Sequence, residues 1–214
     1  MPTCVSLAVS GGSRRMKHNI PFLFMFLTLT ALGLARATEV SEVGKPTFEA
    51  EFPSGGQLRL HIRSGDVTIR GSSNNAVKVH YEGSRSDQIN DVRVDWKNEG
   101  STGNLSISGG PRNNFGIIVE VPKDCDLRLR VFAGDVQVKD VSGNKDIELW
   151  AGDLTIDVGN PDDYRAVDAS VRAGDLEAGP FHQSKGGMFR SFEHSGNGKY
   201  RLHAHTTFGD IELR

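Results

Sequence analysis

Cysteine is nearly absent from this chain. Its 214 residues hold only Cys4 and Cys125, and one pair cannot build the disulfide framework on which many small exported domains rely. Long apolar runs are scarce too: the one candidate, Ile20 to Leu34, falls short of the roughly 20 residues that a membrane-spanning helix requires. There is no basic surplus, because the formal net charge is −2; a general attraction for nucleic-acid phosphates or anionic lipid is thereby excluded. The G-x-S-x-G, H-E-x-x-H and P-loop patterns are missing, and with them the common signatures of acyl transfer, zinc hydrolysis and nucleotide binding. After Ala37 no stretch carries the 3.6-residue apolar period of a helix.

What is present begins with a leader. "MKHNIPFLFMFLTLTALGLARA" has a basic start at Lys17, an apolar centre and small residues at Ala35 and Ala37, the three parts of a secretory signal peptide. The expected division is a signal peptide over residues 1–37, a short linker over 38–46 and one β domain over 47–214. Met16 stands where such a leader would start, so residues 1–15 read either as a misassigned extension or as a long n-region. Cleavage after Ala37 would remove four basic residues (Arg14, Arg15, Lys17 and Arg36) and no acidic ones, moving the net charge from −2 to −6. Cys4 would leave as well, and Cys125, in phase with Leu127 and Leu129, is expected as a buried and inert thiol.

The mature part is organised by a repeat. "SGDVTIR" from Ser64, "AGDVQVK" from Ala133, "AGDLTID" from Ala151, "AGDLEAG" from Ala173 and "FGDIELR" from Phe208 each set a Gly-Asp pair before an alternating apolar run. Glycine at Gly65, Gly134, Gly152, Gly174 and Gly209 can take φ > 0 without a Cβ penalty, while Asp66, Asp135, Asp153, Asp175 and Asp210 can accept backbone N–H groups, each expected to cap its own turn. The alternation that follows, as in Val136 and Val138 or Leu154, Ile156 and Val158, is that of half-buried strands. Seven further alternating runs lie between Leu58 and Val131. The fold class expected is all-β: a single-domain β-solenoid or β-helix-like stack with a more irregular N-terminal half, the alternative being a β-sandwich of short hairpins. The long interval from Gly174 to Gly209 interrupts the rung spacing.

An early "SGDVTIRG", a central "VEVPKDCDLRLRVFAGDV", closely spaced Gly-Asp repeats, "GGMFRSFEHSGNGKYRL" from Gly186 and a terminal "FGDIELR" together resemble the bacterial putative-adhesin domain family of unknown function over Thr47 to Arg214. That resemblance implies an exported, all-β, solenoid-like protein with a surface-binding role. It supplies no ligand and no catalytic residue.

Four groups of residues are candidate sites. Stacked rungs would align Asp135, Asp153 and Asp175 in a carboxylate ladder able to hold Ca²⁺, although the nonapeptide of Ca²⁺-binding β-rolls is lacking. Phe132 and Trp150 each sit two positions before a repeat glycine and out of phase with the core. They form an exposed binding strip unless the insertion carrying Phe181, Met188, Phe189 and Phe192 folds over them, and such a lid is the expectation because those apolar residues also need burial. His203 and His205 share a strand face, where a metal would need a third and fourth ligand, for which His182 and His194 are candidates that the sequence does not place; ordinary solvent-facing histidines are the simpler reading. Paired acids, Asp162 with Asp163 or Glu148 with Asp168, would serve a glycosidase only across a cleft. The function expected is therefore non-enzymatic and cofactor-free: an exported adhesin-like protein presenting a rigid surface to a cell-envelope component or protein partner. A polysaccharide-acting β-helix enzyme is the alternative.

Overall fold

The computed structural model describes residues 37–82, 89–111 and 115–214. These described residues form β-strands and two single-turn 3-10 segments. The strands in chain order are β1 (Thr38–Val43), β2 (Thr47–Glu51), β3 (Gln57–Ser64), β4 (Asp66–Ser72), β5 (Ala76–Glu82), β6 (Arg93–Glu99), β7 (Thr102–Ser108), β8 (Gly116–Pro122) and β9 (Asp126–Ala133). They continue as β10 (Val136–Lys139), β11 (Lys145–Ala151), β12 (Leu154–Ile156), β13 (Tyr164–Ala173), β14 (Leu176–Ala178), β15 (Gln183–Lys185), β16 (Met188–Ser195), β17 (Tyr200–Phe208) and β18 (Ile211–Leu213).

These strands form two mixed nine-stranded sheets. The first runs β1-β6-β7-β3-β9-β11-β17-β13-β16 and the second β15-β14-β18-β12-β10-β4-β8-β5-β2. Neighbours from β7 to β13 in the first sheet, and from β14 to β8 in the second, pair in parallel; the outer strands pair antiparallel. Alternating residues of both sheets, among them Leu60, Val67, Leu129, Val136, Ile147 and Ile156, join in one buried apolar cluster. Parallel strands buried on one face obey the same period-2 rule as antiparallel ones, which is why the alternation was readable along the whole chain.

Each Gly-Asp pair is a corner at which the chain leaves the first sheet for the second, as from β9 to β10 and from β11 to β12. The glycines at these corners stack into a column. Gly152 has φ +128°, and a Cβ placed on it would lie 2.3 Å from the Gly134 carbonyl oxygen, so both backbone angle and space demand glycine. The aspartates act between corners. Oδ1 of Asp135 accepts the N–H of Asp153 at 3.0 Å, Asp153 that of Asp210 at 2.9 Å, and Asp210 that of Asp175 at 2.7 Å. For Asp135, Asp153 and Asp210 the side chain thus links to the next corner instead of capping its own turn, because stacking brings the neighbour's N–H within reach.

Two other expectations change. Thr38–Val43, read as linker, pairs with β6 as an edge strand. The corners also do not stack in sequence order: β17 lies between β11 and β13, so Gly209 packs between Gly152 and Gly174. Residues 175–208 supply β14, β15, β16 and β17, and the long glycine interval is a detour that adds an antiparallel edge before the last strand inserts.

Candidate functional site

The outer face of the first sheet gathers most of the chemistry-bearing side chains, and strand register decides which of them meet. Arg128, Asp146, His203 and Asp168 stand side by side on β9, β11, β17 and β13, and one step along the strands Arg130, Glu148, His205 and Ser170 do the same. A further step brings Phe132 beside Trp150, between the paired Val131/Leu149 and Ala133/Ala151. These residues are distant in sequence, and parallel pairing alone makes them rows.

The first two rows form an ion-paired network. Asp146 accepts from Arg128 Nε at 2.8 Å and from Arg130 Nη2 at 3.0 Å, while Arg130 also reaches Glu148 Oε1 at 2.9 Å. Partial burial by itself would raise the Asp146 carboxyl, but the two guanidinium groups outweigh it and hold the acid below its ordinary value. His203 Nδ1 lies 3.3 Å from Asp168 Oδ2, and His205 Nδ1 lies 2.9 Å from Ser170 Oγ. The two histidines share a face, as their parity required, yet each has its own partner.

Among the described residues metal-ligating atoms come together in one place, at Asp146, Glu148 and His203, all within 4.8 Å of one another. The sequence singles out His203 as a ligand and Glu148 only as a candidate paired acid, and it does not single out Asp146; the two acids lie 55 or more positions before the histidine. Arg128 and Arg130 already occupy the carboxylates, so a cation would have to displace guanidinium groups. His182 ends a 3-10 turn, and His194, at the register level of buried Val167 and Leu202, packs its ring 4.8 Å from Phe181; neither belongs to the row of Asp146 and His203. Each of Asp135, Asp153 and Asp175 uses one oxygen on a neighbour's backbone N–H. Asp162 and Asp163 lie exposed in a 3-10 turn, whereas Glu148 and Asp168 line the same groove with β17 between them.

The third row is aromatic. Phe132 and Trp150 are 61 % and 49 % exposed, with ring centroids 6.2 Å apart and planes inclined by 3°. Phe208, 50 % exposed, meets the other side of Trp150 edge-on at 5.9 Å. The expected lid does not cover this strip. Of its residues, Phe192 is buried against Phe181, while Met188 and Phe189 are themselves exposed and flank β13 on the far side. The reason is antiparallel pairing: β16 extends the sheet sideways instead of crossing it. Phe189 has φ +54°, an uncommon backbone state for a bulky side chain, and Arg172 lies 6.0 Å from its ring centre. Phe208 stands where every other repeat has a small residue before its glycine, but only the placement of β17 beside β11 sets it against Trp150.

Two hollows follow these rows. One, of about 810 Å³, is lined by Arg128, Asp146, Arg165, Asp168, Arg201 and His203 among others. The second, of about 190 Å³, lies between Arg130, Glu148, His205 and the rings of Phe132 and Trp150. No family model and no curated protein sequence matches the chain. Among solved structures it is similar to a putative cell adhesion protein from Clostridium sporogenes, at 12 % identity and a TM-score of 0.48 over 83 % of this chain and 99 % of that one. It is also similar to a putative adhesin from Bacteroides fragilis, at 10 % identity and a TM-score of 0.26 over 83 % of this chain and 97 % of that one.

Proposed function

We propose that this chain is an exported adhesin-like binding protein whose rigid, solenoid-like sheet face engages a cell-envelope component or protein partner. One observation carries the reading. Among the described residues six large apolar side chains stand exposed, and five of them, Phe132, Trp150, Phe208, Met188 and Phe189, lie at the corner end of the first sheet. A concentration of that kind, with Trp, Phe, Met and Arg together, is the composition of an interaction hot spot and not of an ordinary surface. Export is supported by the leader over residues 1–37, and a non-enzymatic role by the carboxylates of the adjoining rows, which are held by arginines and a histidine.

Co-sedimentation of the purified protein with isolated envelope material tests the proposal. Wild type is expected in the pellet, and a Phe132→Ala/Trp150→Ala variant with an unchanged melting curve in the supernatant. Wild-type protein that stays in solution would sink the envelope-binding reading, and a variant that pellets as well as wild type would place the contact elsewhere.

A further inference from the structure

The two hollows adjoin and are read together as one trough, with the Arg130–Glu148 ion pair at their junction. They share Arg130 and Glu148, and together they run from Arg201 to the level of Thr207, about 20 Å along the strands at roughly 3.3 Å per residue. The trough has two chemically different ends. At one lie Phe132 and Trp150. At the other lie Arg165 and Arg201, both exposed, on neighbouring strands where the β13–β17 register shifts between Tyr164 and Ala166. Arg165 is the extra residue of that irregularity, and such bulges re-aim a side chain out of the ladder.

Charge pairing along the trough is uneven. Asp126 accepts from Asn144, Asp146 is held by Arg128 and Arg130, Glu148 by Arg130, and Asp168 faces His203. Every acid lining the floor is therefore engaged. Among the described residues the guanidinium groups of Arg165 and Arg201 have no side-chain partner, whereas each acid of the floor already has a hydrogen-bond or ion-pair partner. A guanidinium fork matches a carboxylate in bidentate geometry. At the other end an aromatic pair offers an apolar ring surface beside hydrogen-bonding groups on His61, His205 and Glu148, the mixed lining expected of a site for a ligand that is part ring, part hydroxyl.

We infer that this trough binds an acidic oligosaccharide, with a sugar carboxylate held by Arg165 and Arg201 and the apolar face of a further ring lying against Phe132 and Trp150. The inference rests on the binding role proposed above and names its ligand class. A carboxylated envelope polysaccharide and one from another cell surface share this chemistry. A lone anion would fill only the arginine end, and a neutral glycan would leave that end unmatched.

Trp150 supplies the readout, since the other tryptophan, Trp96, is buried. Titration of the purified protein with trigalacturonate, followed by tryptophan fluorescence and calorimetry, is expected to show saturable binding that shifts Trp150 emission. Affinity should fall roughly tenfold or more in Arg165→Gln/Arg201→Gln, because charge-assisted contacts are lost. Both substitutions lie on exposed positions, and an unchanged melting curve establishes that the variant is folded. Maltotriose, the neutral counterpart, and a triglutamate peptide should bind at least tenfold more weakly than trigalacturonate. Equal binding of all three, equal binding of triglutamate and trigalacturonate, or full affinity in the arginine variant would each overturn the inference. Absence of trigalacturonate binding, with wild type still pelleting in the envelope assay, would overturn the ligand class alone. Absence of both would remove the binding role as well.

Discussion

Lys145 is the residue that alternation alone would not have found. It occupies an inward position on β11, in phase with Ile147 and Leu149, and is 2 % exposed. Its Nζ donates to the Tyr164 hydroxyl at 2.8 Å and to the Gly143 carbonyl at 3.3 Å, while the same hydroxyl donates to Val158 O at 3.1 Å. Burial lowers its pKa to about 8, below the 10.5 of a free lysine. Between those values the unfolded chain binds a proton that the folded chain has released, so this group adds stability as pH rises through the window and none below it. Cys125 and Tyr164, each pushed up to about 12 by burial, act in the opposite sense at alkaline pH. The lysine is therefore isolated by comparing wild type with Lys145→Met. The stability difference, wild type minus variant, should increase between pH 8 and 10.5 by on the order of 2 kcal/mol, as read from urea denaturation at a series of pH values. A constant difference would mean that Lys145 keeps its ordinary proton affinity when folded.

At the scale of strands and corners, the alternating pattern names which side chains face inward. Val136 and Ile156 are buried on neighbouring strands of the second sheet, opposite Leu154 and Val138 respectively, whereas Gln137 is only half-buried. Val136→Asp or Ile156→Asp should lower stability by about 3 kcal/mol or more through an unpaired buried charge, and Gln137→Asp by about 1 kcal/mol or less; thermal melts of the three proteins check this. Gly152→Ala is expected to cost about 2 kcal/mol or more, since it meets both an unfavourable φ and the Gly134 carbonyl. Strand positions and glycine corners were legible because each depends on a local rule, period two or φ > 0. Neighbour relations were not: nothing local to "FGDIELR" says that it lies between Gly152 and Gly174, and without that placement neither the third aromatic of the strip nor the meeting of Asp146 with His203 could be read.

For the whole molecule, the parallel rows make the outer face of the first sheet a register-dependent object. Glu148, His205 and Ser170 adjoin only because β11, β17 and β13 are neighbours. A protein lacking β18 and its corner should consequently lose the third row together with the fold. Deletion of residues 209–214 is expected to abolish the cooperative melt and to expose dye-binding apolar surface, and a deletion variant that melts like wild type would show the last strand to be dispensable.

The position of β17 also dictates a sequence of events. A stack in chain order could grow rung by rung as the polypeptide emerges, but here β13 has no parallel neighbour until β17, some thirty positions later, slides in beside β11. The C-terminal strands β17 and β18, one in each sheet, are a keystone. In a chain made from its N-terminus, β11 and β13 are therefore expected to lack their shared neighbour until β17 is present, so the contacts across this seam should be among the last to form.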